Sequence, residues 1–175
     1  MIIKEAIQIG NKLLRAKNKK VVDFKSNETK RVIKNLVDSM RHHKLVGMAG
    51  PQIGENVRIF VSEITKTPTR KNSDLDDLKI YINPTITWFS NKLTKGHEGC
   101  GSVAFANLFG IVKRPTEVIV EAYNEKGEKF SLKAKGLLAR IIQHEYDHIN
   151  GIEFTDKSDN KTYMSRNEYI QKCSK

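Results

Sequence analysis

Hydrophobic residues recur at helical spacing in a segment near the N-terminus. Five of them are separated by one, three or four positions: Val32, Ile33, Leu36, Val37 and Met40. This spacing places them on one side of an α-helix and predicts a helix over about residues 28–44. Ser26 or Asn27, just before this segment, is a residue type that caps the first turn of a helix.

Three other segments alternate apolar and polar residues, which is the pattern of a β-strand with one buried face. They cover residues 57–61, residues 80–82 before Pro84, and residues 118–122. The segment 65–78 is polar and carries both signs of charge. We therefore expect it to be an excursion over the surface between the first two strands.

The third strand leads into a hairpin. Asn124 to Glu128 contains Gly127 and has the composition of a tight turn, and Phe130 and Leu132 alternate beyond it. This pattern predicts a return strand paired with the strand before the turn.

A second helix is predicted after Gly136, ending at Asn150 or Gly151. Four of its residues share one face: Leu137, Ile141, His144 and His148. The strands come first and this helix comes late, without regular alternation of strands and helices. This order indicates an α+β fold, with mostly antiparallel sheets around the late helix, in a single catalytic domain over residues 1–175.

The composition excludes several classes of protein. Hydrophobic residues make up 38% of the chain, and no apolar run approaches the roughly 20 residues that cross a bilayer. The first 14 residues include two lysines and no continuous apolar stretch, so we expect no signal peptide, no membrane contact and a cytoplasmic location.

The formal net charge is +11 at pH 7. Such a charge favours polyanionic surroundings, but the lysines are spread over the chain without an arginine-rich block or interleaved aromatic residues. We therefore expect at most a loose electrostatic contact with the ribosome, and no specific DNA binding.

The end of the chain, residues 157–175, is polar and rich in lysine. We expect a solvated end, with a short helix as the alternative. Cys173 lies in this polar segment, and nothing around it in the sequence indicates a specific role. Together with Cys100 it makes only two cysteines, too few for a disulfide scaffold.

The late helix carries the motif His144-Glu145-Tyr146-Asp147-His148. Its two histidines are four residues apart, on consecutive turns, so both imidazoles can reach one metal ion at about 2.0–2.1 Å. Glu145 is rotated by about a hundred degrees from His144, which suits proton transfer beside the ion better than ligation.

A third ligand separates the classes of enzyme that use this motif. A metzincin-type protease would have a histidine six residues after His148, where Phe154 stands instead. Glu168 is a weak candidate for a thermolysin-like site because it lies in the polar tail. Cys100, between two glycines, is the remaining candidate, and a thiolate suits iron, zinc or cobalt.

Three short motifs occur in order along the chain. Residues 45–54 read Leu-Val-Gly-Met-Ala-Gly-Pro-Gln-Ile-Gly, residues 98–102 read Glu-Gly-Cys-Gly-Ser, and residues 143–151 contain the metal-binding pattern. With these motifs the chain resembles the peptide deformylases over about residues 5–155.

The resemblance implies an enzyme that removes the formyl group from the initiator methionine of newly made polypeptides. Its partners would be the formylated N-termini of nascent peptides, during methionine processing in protein biosynthesis. It also implies a divalent metal on Cys100, His144 and His148. Ferrous iron is the usual metal of the family, and zinc, nickel or cobalt can replace it.

Further roles follow from the same resemblance. Glu145 would carry a proton from a water activated at the metal to the leaving amine. The side-chain amide of Gln52 and the backbone N–H of Gly101 would stabilise the oxyanion. Gly47 and Val46 would lie along the substrate backbone.

Glu98 and Arg114 resemble a salt bridge that supports the metal ligands of the family. An ordinary surface ion pair is the alternative. The sequence alone leaves both interpretations open.

Four positions depart from the family pattern: Leu45, Gly50, Gly101 and Ala104. None of them bears on the metal, but they put the methionine pocket and the substrate preference in question. One alternative is therefore a divergent hydrolase with another or a narrow N-acyl substrate. A second is a basic ribosome- or RNA-binding protein with an idle metal site, and a zinc endopeptidase is the weakest.

Overall fold

The computed structural model describes residues 2–66 and 74–173. Within these ranges the helices are α1 (Asn27–His42), α2 (Gly136–His148) and α3 (Arg166–Cys173). The strands are β1 (Gly47–Ala49), β2 (Ile59–Ile64), β3 (Asp76–Phe89), β4 (Leu93–Gly99), β5 (Leu108–Pro115), β6 (Glu117–Tyr123), β7 (Lys129–Lys135) and β8 (Ser158–Ser165). No helix in the described ranges is long and apolar enough to span a membrane.

The strands form two sheets. The larger has the order β1-β2-β3-β6-β7, and the smaller has the order β4-β5-β8. All pairings between these strands are antiparallel. The predicted α+β fold with mostly antiparallel sheets is confirmed.

Helix α1 covers one part of the larger sheet. The side chain of Ser26 accepts a hydrogen bond from the backbone N–H of Thr29, so this residue caps the helix as its type predicts. The five apolar residues singled out by their spacing are buried and pack against residues of β1 and β2, including Met48, Ile59 and Val61.

Helix α2 lies at the centre of the fold and positions the two histidines. It buries Ala139 and Ile142 against the larger sheet, in a cluster that also contains Phe60, Tyr81 and Val120. It begins at Gly136, whose φ of +59° suits glycine. It ends at His148, two or three residues earlier than the predicted end at Asn150 or Gly151.

The predicted hairpin is present as β6 and β7. The side-chain oxygen of Asn124 accepts hydrogen bonds from the backbone N–H groups of Lys126 and Glu128, and Gly127 has a φ of +81°. Both features match the turn chemistry that the sequence predicts.

The strand around Pro84 is longer than predicted. It does not stop before Pro84, because β3 continues to Phe89. The pairing with β6 changes register between Ile82 and Thr85, and Asn83 has a φ of +52°. A bulge of this kind accommodates a residue that has no N–H to donate.

The predictions that two segments lie outside regular structure are wrong in part. The polar segment 65–78 includes residues 67–73, outside the described ranges, but residues 76–78 belong to β3. The end of the chain is not simply solvated, because residues 158–165 form β8 on the edge of β5 and α3 follows. Likewise, the strand predicted at residues 57–61 starts at Ile59 and extends to Ile64.

Candidate active site

Three predicted ligands come together at the centre of the molecule. Cys100 follows the last residue of β4, while His144 and His148 lie on consecutive turns of α2. Their ligand atoms all lie within 4.8 Å of one another. The Nε2 atom of His148 is 3.2 Å from the Sγ atom of Cys100 and 3.2 Å from Nε2 of His144.

This geometry fits a tetrahedral metal site. Ligand atoms about 2.0–2.1 Å (nitrogen) and 2.3 Å (sulfur) from one ion are separated by roughly 3.3–3.6 Å at tetrahedral angles. The two measured separations of 3.2 Å are slightly shorter than that. A thiol and two imidazole nitrogens facing one point are also a donor set suited to iron, zinc or cobalt.

The charges within the cluster favour the metal-binding form of the thiol. Burial alone would raise the pKa of Cys100, but the imidazoles of His148 and His144 lower that pKa to about 6. Burial alone would lower the pKa of His144, but Cys100 and Glu98 raise that pKa to about 10. A metal ion held here would take the place of the imidazole protons and bind the thiolate directly.

Glu98 connects His144 to a buried network of charges. Its Oε2 atom lies 3.0 Å from Nδ1 of His144, and Arg114 donates to both carboxylate oxygens over 2.6 and 2.8 Å. The side chains of Glu98 and Arg114 are only 4% and 3% exposed. The alternative of a surface ion pair is therefore wrong, and the pair is internal.

The network continues beyond this pair. Arg114 also donates to Asp147 over 2.7 Å, and Asp147 accepts from Lys157 over 2.6 Å. Burial alone would raise the pKa of Glu98, but the hydrogen bonds from Arg114 and His144 hold it well below its usual value. Glu98 is therefore a carboxylate that fixes the orientation of the His144 ring.

Glu145 lies beside the ligands without joining them. It is 4% exposed, its Oε2 atom has no hydrogen-bond partner in the described part of the chain, and burial raises its pKa to about 7. A Cβ atom on Gly47 would lie 2.5 Å from Oε1 of Glu145. The glycine therefore leaves the space that this carboxylate occupies.

Gln52 approaches the site from the other side. Its Oε1 atom accepts a hydrogen bond of 2.7 Å from the backbone N–H of Ala49, which turns the NH₂ group towards the centre. That nitrogen lies 3.3 Å from Sγ of Cys100 and 3.4 Å from Oγ of Ser102. Gly101 lies between Cys100 and Ser102, and it lines the same cleft.

The cleft outside the cluster has a volume of about 470 Å³. All the site residues predicted from the sequence line it except His148, which is buried behind His144. Val46 and Gly47 lie along one side, where the edge strand β1 begins at Gly47. The structure thus brings the sequence-predicted set together at one place.

Sequence reasoning missed several residues of this cleft. Arg140 lines it and donates to Glu98 over 2.6 Å. It precedes His144 by four residues, so helical spacing contained a signal for it. Tyr169 and Arg166 of α3 also line the cleft, but nothing in the local sequence indicates this contact.

A buried carboxylate behind His148 was also missed. Glu153 is completely buried, and its Oε1 atom lies 3.5 Å from Nδ1 of His148. It is five residues beyond His148 and outside the helix, so helical spacing gave no signal for it.

Comparison with known proteins gives a consistent result. A family model described as polypeptide deformylase matches residues 3–163. A peptide deformylase of Natranaerobius thermophilus is 35% identical over 159 residues, which is 91% of this chain and 94% of that protein.

Solved structures of similar fold belong to the same kind of enzyme. A class I type b peptide deformylase from Acinetobacter baumannii, bound to Met-Ala-Ser, is 28% identical with a TM-score of 0.83, covering 89% of this chain and 98% of that one. A peptide deformylase from Synechococcus elongatus in complex with actinonin is 31% identical with a TM-score of 0.79, covering 90% and 82%.

Proposed function

The chain belongs to the polypeptide deformylase family, and from this membership we propose which of its residues hold the metal and which carry the reaction. It is a metal-dependent hydrolase that removes the N-terminal formyl group from formyl-methionyl peptides and releases formate. The roles of individual residues, the identity of the metal and the cellular setting are our proposals.

The metal is held by Cys100, His144 and His148. The observation that carries this proposal is the convergence of one sulfur and two nitrogen atoms within 4.8 Å at the inner end of the cleft. When bound there, a divalent ion polarises the formyl carbonyl and lowers the pKa of a water molecule. We propose ferrous iron as the native ion, because it is the usual metal of the family. Zinc, nickel or cobalt can replace it, because thiolate and imidazole ligands suit these metals as well.

Glu145 is the group that moves the proton. Burial raises the pKa of this carboxylate, which favours its accepting a proton from water and then donating it. Its Oε2 atom has no competing hydrogen bond in the described part of the chain. The accepted proton goes to the amine nitrogen as the bond between the formyl carbon and that nitrogen breaks.

Gln52 and Gly101 stabilise the negative charge that develops on the formyl oxygen. The NH₂ group of Gln52 is held in place by the bond between its own oxygen and Ala49, so it need not reorganise during the reaction. The backbone N–H of Gly101 is proposed as the second donor, since this residue follows Cys100 and lines the cleft.

Val46 and Gly47 hold the backbone of the substrate. Gly47 begins β1 and Val46 precedes it, and β1 is the edge strand of the larger sheet, where an extended peptide can add as a further strand. The related enzyme bound to Met-Ala-Ser takes a peptide that begins with methionine. Leu45, Leu137 and Ile141 offer apolar surface in this cleft for such a side chain.

The cellular setting follows from charge and activity. We propose a single catalytic domain over residues 1–175 that works in the cytoplasm on the N-termini of nascent peptides. The net charge of +11 supports a loose electrostatic contact with the ribosome.

The departures at Leu45, Gly50, Gly101 and Ala104 favour one second candidate, a narrow or altered N-acyl preference. Of these four residues, Leu45 and Gly101 line the cleft. A Cβ atom placed on Gly101 would lie 3.1 Å from the Cδ1 atom of Leu45.

The experiment measures metal content and substrate choice together. Protein purified without oxygen should carry one divalent ion, and Cys100→Ser should reduce this content strongly. The loaded enzyme should hydrolyse formyl-Met-Ala far faster than acetyl-Met-Ala. A preference for the acetyl peptide would support the second candidate, and full metal content in Cys100→Ser would contradict the ligand set.

A further inference from the structure

A buried carboxylate lies behind the second histidine of the cluster. Glu153 is 0% exposed, and neither of its oxygen atoms has a hydrogen-bond partner in the described part of the chain. Nδ1 of His148 faces it, 3.5 Å from Oε1. That nitrogen likewise has no hydrogen-bond partner among the described residues.

The orientation of the His148 ring explains why this pairing matters. Its Nε2 atom faces Cys100 and His144 across 3.2 Å each, so Nδ1 is the only ring nitrogen that points away from the metal-binding point. A histidine that binds a metal through one nitrogen usually donates its other N–H to a carboxylate, a carbonyl or a water. For His144 the acceptor is Glu98, 3.0 Å from Nδ1.

The cations near Glu153 are engaged elsewhere. Arg15 is close enough to interact with it electrostatically, but its guanidinium group pairs with Asp156 and the carbonyl of Gly151. Lys157 donates to Asp147. Burying a carboxylate without a hydrogen-bond partner costs free energy of folding. Its position opposite Nδ1 of His148 therefore suggests that the two groups interact.

We propose that Glu153 is a positioning residue for the metal, accepting a hydrogen bond from Nδ1–H of His148 so that Nε2 presents its lone pair to the ion. The separation of 3.5 Å is at the long limit of a hydrogen bond, and binding of an ion at Nε2 makes the N–H a stronger donor. This inference rests on the proposed metal site. It gives each metal-binding histidine its own carboxylate.

Glu153 also lies in a turn, and a purely structural role must be separated from positioning. Its backbone N–H donates to Oδ2 of Asp156 over 2.8 Å, which stabilises the short 3₁₀ helix that follows. Asp156→Asn perturbs this turn without touching His148, so it is a matched control. Glu153→Gln keeps the shape and one acceptor oxygen but removes the charge, while Glu153→Leu removes the acceptor.

The test uses full-length protein loaded with cobalt, because cobalt bound to a thiolate has visible absorption bands. We measure the absorption spectrum, the rate of cobalt loss to a chelator, and the thermal unfolding of the metal-free protein. Glu153→Leu should lose cobalt about 10- to 100-fold faster and shift the bands. Glu153→Gln should lie between Glu153→Leu and the wild type, and Asp156→Asn should match the wild type.

Two outcomes would overturn the proposal in different ways. If both Glu153 variants hold cobalt like the wild type and only their metal-free unfolding temperatures fall, Glu153 is structural. Cys100→Ser, measured in parallel, reports on the site itself. If Cys100→Ser also holds cobalt with an unchanged spectrum, then the metal site is elsewhere and the proposed function fails at its ligands.

Discussion

At the scale of single residues, the site depends on one very close approach. The backbone at Gly47 passes so near the Glu145 carboxylate that a Cβ atom would lie 2.5 Å from its oxygen and 2.9 Å from its Cδ atom. Only glycine allows the strand and the carboxylate to occupy these positions together. Gly47 thus makes room for the proposed proton carrier and also contributes the proposed contact with the substrate.

Gly47→Ala should therefore reduce turnover while sparing the metal. The added methyl group displaces the Glu145 carboxylate, and a misplacement of about 1 Å can cost about a hundredfold in rate. Steady-state kinetics and metal analysis of the same preparation check this prediction. A variant with normal turnover would mean that Glu145 tolerates another position.

Gln52→Ala should lower kcat by about a hundredfold or more, because it removes a donor aimed at the developing oxyanion. KM should change much less, since the donor acts in the transition state. An unchanged kcat would leave the oxyanion to Gly101 and the metal alone.

The sequence indicated residues that the structure brings together in the cleft, but it missed several that support them. Cys100, His144 and His148 lie in short motifs whose spacing is set by chemistry. Glu153 depends on how the chain turns after α2, and Arg140 could have been found from its place one turn before His144. The burial of Arg114 depends on the packing of β5 against α2, which no local pattern expresses.

At the scale of elements, helix α3 forms part of the cleft rather than a free tail. Tyr169 stacks on Phe109 with ring centroids 4.3 Å apart and planes inclined by 6°. Phe109 in turn packs on Gly99, where a Cβ atom would lie 2.7 Å from its ring. The C-terminal helix is thereby connected to the residue that precedes Cys100.

Tyr169→Ala should raise KM for a formyl-methionyl peptide by about tenfold, because a lost aromatic contact is worth about 1 kcal/mol or slightly more. The effect on kcat should be small, since no reacting atom is moved. Asn167→Ala, an exposed position on the same helix, is the control. Equal KM values for the two variants would contradict a role of α3 in substrate binding.

Two of the strands that the sequence missed share a physical reason. Strands β4 and β8 are half exposed and carry charged, small or polar residues, so their hydrophobic pattern is weak. Both are held by pairing with β5, and β8 lies far from β5 in the sequence. By contrast, α1, α2 and the β6–β7 hairpin bury a regular face and were predicted correctly.

At the scale of the whole molecule, the core contains polar groups whose ionisation bears on stability. Tyr81 is completely buried in the centre of the larger sheet and stacks on Phe60 with centroids 4.4 Å apart. Burial raises the pKa of its phenol above the ordinary value.

Tyr81 should make the fold sensitive to alkali. Above about pH 10 the unfolded chain releases the phenol proton while the folded chain keeps it, so the free energy of unfolding falls by up to about 1.4 kcal/mol per pH unit. This contribution is fully present below the unfolded pKa and is lost as pH rises towards the folded one. Denaturant unfolding between pH 8 and about pH 11 should show the wild type losing stability relative to Tyr81→Phe only above about pH 10. A constant difference between the two proteins would contradict this.

The arrangement as a whole places one helix between two sheets, with a cysteine from the smaller sheet facing two histidines of that helix. We propose that this cluster deformylates peptides with Glu145 as the proton carrier.

The most direct test is formate release from formyl-Met-Ala by wild type and Glu145→Ala, both prepared without oxygen and matched for metal content. We expect fast release by the wild type and a loss of about 10²- to 10⁴-fold in the variant. Comparable release by the two, or none from fully loaded wild type, would contradict the account.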